Sequence, residues 1–327
     1  MEAAKGFRII FVISYIMMIT ERGFFMKSLK KTVSLWLAAM MLVSLAACGS
    51  NSAVDDTSVM EMSFKSPEGY ETVERSVEKN TEGKLTGKSI GYTFEDGRSV
   101  AFAFSSANGQ SIEDELEQME VERKEYNGTE LVLYQSGKKT YMAFCQKGDN
   151  VYGVQYRSDN EETLADEFDK ILKTVKFSDA KKTAMNDFVL DKVTYELKTD
   201  IPLYSETTNL KEKADGTVVS KSFIWKYSED SEKVNYRFSI EQRKDTKLED
   251  LLDEDKEYDT TEINGTTFTF AKEGEDTDAL DHNSYYVERG GDVYLIQNKG
   301  VSTGWFTSRS DESKAAFKTF IQSIVFK

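Results

Sequence analysis

Hydrophobic and polar positions alternate along much of this 327-residue chain and change rhythm at a few places. "SVAFAFS" (99–105) and "KVNYRFSI" (233–240) place apolar residues at every second position, as strands with one buried face do. Two segments carry the three-and-four spacing of an amphipathic helix instead. These are Leu164, Phe168, Ile171, Leu172 and Val175, and later Phe317, Phe320, Ile321 and Ile324. Asn-Gly at 127–128 and 264–265 lies between or beside strands, the strongest short hairpin signal. Thr246-Lys247-Leu248-Glu249 has capping-box spacing and predicts a helix through the acidic run that follows. Near the start, "TVSLWLAAMMLVSLAA" (32–47) is apolar with no alternation at all.

The pattern is written twice. "KEYNGTELVLY" (124–134) parallels "TEINGTTFTFA" (261–271), and "KGDNVYGVQ" (147–155) parallels "RGGDVYLIQ" (289–297). "GKSIGYTF" (87–94) matches "SKSFIWKY" (220–227), and "SIEDELEQ" (111–118) resembles "KLEDLLDE" (247–254). The ends correspond as well, "DEFDKILKTVKF" (166–177) with "AAFKTFIQSIVF" (315–326). Order is kept throughout while the offset grows from 133 to 149. The two prolines of the chain, Pro67 and Pro202, fall near the start of each copy. Each copy reads as strands, a helix, more strands and a last helix. An apolar helix face laid on an apolar sheet face predicts an α+β sandwich. The expected organisation is a first domain over 61–177, a linker at 178–187 and a second domain over 188–327, each folding alone.

This order resembles the PsbP-like fold of the photosystem II extrinsic P protein and several bacterial lipoproteins. The residues that carry the likeness are an early proline followed by an aromatic (Pro67 and Tyr70, Pro202 and Tyr204), the central acidic helix, and a helix-to-strand end from Phe317 to Phe326 with Phe168 to Phe177 as its looser copy. The chain is also similar to repeat domains of Gram-positive lipoproteins. The resemblance implies tandem antiparallel sheets packed with helices, serving as binding or assembly modules.

The first fifty residues read as an export signal. Met26 to Lys31 is a basic n-region, 32–47 is the apolar h-region, and Leu45-Ala46-Ala47-Cys48 matches the lipobox of bacterial lipoproteins. That match implies diacylglycerol on Cys48, cleavage before it, and a flexible tether over 48–60. The h-region is short for the roughly 20 apolar residues that a membrane span needs. Residues 1–25 precede this signal, and Glu21-Arg22-Gly23 is encodable as GAG-AGG-GGN, a ribosome-binding sequence just before the Met26 codon. Met1 to Phe25 is therefore expected to be a leader, with synthesis starting at Met26.

Charge bears on the partners. The chain holds 42 Lys+Arg and 57 Asp+Glu, a net charge of −15; removing 1–47 takes away six basic and two acidic residues and leaves −19. Nucleic acid is excluded by such a balance, because phosphate binding needs a basic surface. The expected location is the extracytoplasmic face of the cell membrane of a Gram-positive bacterium, held by the lipid on Cys48, with an unknown protein or envelope ligand as partner. After Cys48, Cys145 is the one remaining cysteine, so no intramolecular disulfide can form in the mature chain.

Chemistry is sparse. The single histidine, His282, lies in "DTDALDHNSYY" (276–286), an insertion of the second copy, and reads as a polar loop residue. Without further His or Cys nearby, no zinc site or Ser-His-Asp triad assembles. The acidic run 247–259 lacks the spacing of a calcium-binding loop, and no phosphate-binding Gly-rich loop occurs. No cofactor or metal is expected, and the leading function is non-enzymatic binding. The alternatives are a cell-wall or glycan hydrolase using a carboxylate pair, or a structural spacer. Duplicated domains share their core, so the binding surface is expected where the copies differ. Trp305 and Phe306, in the insertion "KGVSTGWFTSRS" (299–310), are the candidate contact residues.

Overall fold

The computed structural model describes residues 58–182 apart from 108, 110, 117 and 118, together with 190–327 apart from 191–192, 197–202, 229–235, 273–278, 300, 303–306 and 309–310. Cys48, Trp305 and Phe306 lie outside the described residues. The first repeat runs β1 (Ser58–Ser63), β2 (Thr72–Asn80), β3 (Leu85–Thr93), β4 (Ser99–Ser106), α1 (Ile112–Leu116), β5 (Glu122–Tyr126), β6 (Thr129–Ser136), β7 (Thr140–Lys147), β8 (Asn150–Arg157), α2 (Leu164–Leu172) and β9 (Lys176–Lys182). The second runs β10 (Val193–Thr194), β11 (Leu203–Lys213), β12 (Val218–Tyr227), β13 (Tyr236–Arg243), a 3-10 turn (Leu248–Asp250), β14 (Tyr258–Ile263), β15 (Thr266–Ala271), β16 (Ser284–Arg289) and β17 (Asp292–Asn298). It then adds the short pair β18 (Val301–Ser302) and β19 (Thr307–Ser308), and closes with α3 (Asp311–Ser323) and β20 (Val325–Phe326).

Fourteen of these strands form one antiparallel sheet in the order β14-β15-β16-β17-β13-β12-β11-β2-β3-β4-β8-β7-β6-β5. Each repeat supplies seven strands in the same internal order, and the two halves meet at β2 and β11. Both inner hairpins turn on a glycine in the left-handed region, Gly83 at φ 75° and Gly216 at φ 81°. The N–H of Gly83 donates to the Asn80 carbonyl, and that of Gly216 to the Lys213 carbonyl. Position i of β2 therefore corresponds to i+133 of β11. Ser76 pairs with Asn209, which is its own counterpart, and the ladder runs symmetrically from Thr72↔Lys213 to Asn80↔Ser205. A pseudo-two-fold axis passes through the Ser76–Asn209 pair, perpendicular to the sheet.

The same symmetry extends to the cores. In the first repeat α2 and the β1–β9 ribbon cover Ile90, Phe102, Val154 and their neighbours. In the second, α3 and the β10–β20 ribbon cover Trp225, Phe238, Ile240 and Tyr285. The helix periodicity explains the seating: Leu164, Phe168 and Leu172 are buried in one helix, and Phe317, Phe320 and Ile321 in the other. Register parity puts Ile90 and Trp225 on one side of the sheet, so both helices lie on that side.

One side chain ties hairpin to helix in each copy. Asn127 and Asn264 both have φ 50°, followed by Gly128 at 78° and Gly265 at 71°, the paired positive φ values of a tight hairpin turn. The Asn127 amide donates to the carbonyls of Lys173 and Val175, at 3.0 and 2.7 Å. Asn264 donates in the same way to Gln322 and Ile324, at 2.8 and 2.9 Å. These carbonyls are left over at the end of a helix and need a donor.

The structure corrects the expected fold class. The chain is a mostly-β protein built on one fourteen-stranded antiparallel sheet, and not an α+β, PsbP-like sandwich of two sheets packed with helices. The central acidic segments account for much of the difference, since they form a five-residue helix and a single 3-10 turn. In the second copy Leu248, Leu251 and Leu252 are half-buried, so no apolar face is firmly seated. Glu249, Asp250, Asp253 and Glu254 would repel one another at helical spacing. The expected capping box is absent too: the Thr246 hydroxyl donates to the Lys244 carbonyl, 2.8 Å away. Strand β1 begins inside the stretch expected as tether, and β9 extends through the first half of the expected linker 178–187, whose positions 183–187 lie outside the described residues.

Replacing Asn264 tests the clamp. Asn264→Gly keeps the turn but removes two hydrogen bonds, and urea unfolding should show a loss of about 1–3 kcal/mol. Asn264→Ala should cost about 1–2 kcal/mol more, because a Cβ is strained at φ 50°. Equal stability of both variants and wild type would contradict this role.

A candidate binding face at the junction of the repeats

The sheet has two unlike sides. One carries α2, α3 and the ribbons. The other carries α1 over the outer strands of the first repeat, where the Ile112 N–H donates to Gln146 Oε1 at 2.8 Å and Glu113 meets Arg123. At the opposite flank the segment around the 3-10 turn lies over β14–β16, with the Asp253 N–H donating to the Tyr258 hydroxyl at 3.0 Å and Tyr258 touching Tyr286. Among the described residues no helix covers the strands between these flanks.

Register alone permits a position-by-position comparison of this second side in the two repeats. One row in the first repeat reads Ser76–Ser89–Ala103–Gly153, and its counterpart reads Asn209–Ser222–Glu241–Leu295. On either side of it, Gly87 and Ser105 stand where the second repeat has Ser220 and Arg243, and Gly91 and Ala101 where it has Ile224 and Ser239. Seven positions over β3, β4 and β8 are thus Gly, Ala or Ser in the first repeat, whereas four of their counterparts are Ile, Leu, Glu or Arg. The first repeat thus carries a floor of smaller side chains on this side; Ser76, Ser89 and Ala103 of the middle row are 4%, 6% and 4% exposed, and Gly87, Gly91, Ala101 and Ser105 beside it are half-buried.

Folding does not demand those glycines. A Cβ on Gly87 would meet Glu78 Cβ and the Phe104 carbonyl at 3.6 Å, and one on Gly91 would meet Ala101 Cβ at 3.9 Å, both ordinary contacts. Neither glycine has a left-handed φ. Glycine inside a strand costs about 0.5–1 kcal/mol relative to alanine. Interior strand glycines mark a bulge or a place where another chain or ligand comes close; Gly87 lies beside the bulge at Glu78/Lys79, and Gly91 lies away from it.

The seam beside this floor holds unsatisfied hydrogen-bonding groups. Asn209 is 2% exposed; its amide donates to Ser222 Oγ at 2.8 Å, while Oδ1 has no hydrogen-bond partner. The Thr207 hydroxyl, also buried on this face, is likewise unpartnered. Leaving such a group buried costs about 1–3 kcal/mol. Glu74 and Glu78 border the same floor. Burial alone would raise the Glu78 carboxyl, but Lys226 at 2.6 Å and the Ser205 hydroxyl outweigh burial and hold it below the usual carboxylate range. On the helix-bearing side, Arg75 and Glu212 form a second ion pair across the seam.

Other residues singled out in the sequence lie elsewhere. His282 is not a polar loop residue: it is buried, stacked on Phe270 with ring centroids 4.1 Å apart, and neither ring nitrogen has a hydrogen-bond partner. Its segment folds back because the Tyr285 hydroxyl donates to the Ala279 carbonyl and accepts from the His282 N–H. Cys145 is buried, and burial pushes its thiol up to about 12. Trp225 is fully buried in the second core, its Nε1 donating to Glu206 at 3.0 Å. Among the described residues no three His, Cys, Asp or Glu side chains come together to hold a metal, and no helix is long and apolar enough to cross a membrane. Sequence reading missed the floor because its residues are small, scattered and aligned only by register.

No family model and no curated protein matches the chain. Among solved structures it aligns with MucB in a crystal structure in complex with MucA(peri), and with the complex structure of Pseudomonas aeruginosa MucA/MucB. In each case identity is 7%, coverage is 79% of this chain and 93% of the other, and the TM-score is 0.15. Likeness at that level carries no argument about fold or function.

The Glu78 ion pair gives a pH prediction. A carboxyl held low in the folded state adds stability above its unfolded pKa, and that stability is lost as pH falls through the folded value. The stability difference between wild type and Glu78→Gln should therefore be full at pH 7 and shrink progressively below about pH 4.5. A difference that stays constant down to pH 2 would contradict the role given to Lys226.

Proposed function

We propose that the chain is a lipoprotein on the extracytoplasmic side of the cell membrane, anchored by lipid on Cys48, that binds a partner non-enzymatically through the small-residue face of its first repeat. The observation that carries this reading is the run of seven Gly, Ala and Ser positions, four of whose counterparts in the other repeat are Ile, Leu, Glu or Arg. Core packing is common to both copies, so it offers no reason for the difference.

The tether leaves the fold on the helix-bearing side. The Ser58 carbonyl accepts from Lys88 Nζ at 2.9 Å, and Lys88 shares the helix-bearing side with Ile90. The chain thus enters the fold on the side opposite the floor. Residues 49–57 reach about 30 Å at full extension. From β3 the nearer edge of the sheet is five strands away, about 24 Å at the usual spacing. That reach exceeds the distance to the edge, so the tether leaves either side of the sheet able to face away from the bilayer. The acidic charge of the chain supports acyl chains, rather than protein basicity, as the membrane contact.

Two linked experiments test this. Cys48→Ala should leave unprocessed precursor or release the protein from membranes, and unchanged mass with unchanged membrane association would refute the anchor. A photo-crosslinking residue placed at Thr93, on the margin of the floor, should yield a discrete adduct in intact cells, whereas the same residue at Glu312, exposed on α3 of the helix-bearing side, should not. Equal adducts from both positions, or none from Thr93, would refute the binding face.

A further inference from the structure

We infer that Asn127 and Asn264 are sites of spontaneous deamidation, and that reaction at either one undoes the clamp between a hairpin and a helix end. The inference is independent of what the small-residue face binds. Asparagine is among the thermolabile side chains. Each of these two is followed by a glycine, Gly128 or Gly265, and all four residues are exposed at their hairpin turns. A Cβ built on either glycine would meet nothing within 4 Å, so the glycine peptide nitrogen is uncrowded. The reaction needs no enzyme and no oxidant. The Gly265 nitrogen gives up its proton and bonds to Cγ of Asn264, and the Cγ–Nδ2 bond breaks to release ammonia. The cyclic imide so formed takes up water and opens to aspartate or isoaspartate. Asparagine and water have then become a carboxyl group and ammonia, and the isoaspartate product also lengthens the backbone.

The fold sets both the rate and the consequence. Nδ2 of Asn264 donates to the Gln322 and Ile324 carbonyls at 2.8 and 2.9 Å, and Nδ2 of Asn127 to those of Lys173 and Val175. Ring closure swings the side chain onto the glycine nitrogen. Both bonds must break first, so the reaction runs through locally opened molecules. An ionised carboxylate has acceptors only. In place of the amide it faces two carbonyl oxygens, which themselves lose their donors. The opened turn therefore cannot be re-clamped. In the second repeat the clamp sits at the edge of the core. Ile324 is fully buried, and Phe326 of β20 lies edge-on to Phe268 and Tyr294, with ring centroids 6.2 and 4.9 Å apart. Deamidation at Asn264 loosens that corner and limits the lifetime of the folded chain.

The test incubates the full chain in mild detergent at pH 8, folded or in urea, and follows its peptides by mass. Peptides containing Asn127 and Asn264 should gain the mass that marks NH2 exchanged for OH, at least about tenfold more slowly in the folded chain. Equal rates in the two states, or no gain at either site in the folded chain after prolonged incubation, would overturn the inference. Asn264→Asp reproduces one product. It should melt below both wild type and Asn264→Gly at pH 8, because the carboxylate adds repulsion to the lost bonds. That deficit should shrink as the pH falls through about 4, where the carboxyl gains a proton to donate. Melting at the wild-type temperature, or with Asn264→Gly at every pH, would overturn the consequence drawn from the clamp. If the variant folds poorly, chains deamidated during the incubation and separated by their added negative charge give the same comparison.

Discussion

The nine-residue ladder between β2 and β11 determines most of what is distinctive in this molecule. A lone seven-stranded sheet would expose β2 as an edge, with unpaired N–H and C=O groups able to pair with any other strand. Here each repeat satisfies that edge with the equivalent edge of the other. Because Ser76 meets its own counterpart Asn209, the contact has the self-complementary form of a symmetric dimer interface, held within one chain. Lys226 to Glu78 and Arg75 to Glu212 add ion pairs across it, one on each side of the sheet.

That symmetry fixes the two sides of the sheet and makes the departure from it informative. A two-fold axis perpendicular to the sheet keeps both helices on one side, where they cover two aromatic cores. The opposite side is left to strands, and there the repeats diverge. Leu295, Glu241, Arg243 and Ile224 stand in one copy where Gly153, Ala103, Ser105 and Gly91 stand in the other. Four positions differ in bulk while Ser89 and Ser222, Val151 and Val293, and Gln155 and Gln297 match, and the proposed function rests on those four.

The sequence made the duplication legible because its signals are local. Asn-Gly, the turn glycines and the spacing of Phe317, Phe320 and Ile321 each act within a few residues. Fold class was misread for a related reason: helical spacing at 247–254 does not reveal that Leu248, Leu251 and Leu252 find no full burial. The clamp role of Asn127 and Asn264 was hidden, because its acceptors lie 46 to 60 residues away. His282 looked polar and loop-like, since its partner Phe270 stacks on it only once the insertion folds back. The floor was the least legible feature. Gly, Ala and Ser in strands read as weak strand formers until register aligns them, and the expectation built on Trp305 and Phe306 concerns positions outside the described residues.

The most direct test of the account is amide hydrogen exchange along β2 and β11 in the intact chain. In a continuous sheet these strands are central, and amides over 72–80 and 205–213 should exchange as slowly as those of β3 and β12. Exchange as fast as that of the outermost strands β5 and β14 would mean that the two repeats stand apart, and the shared sheet would be contradicted.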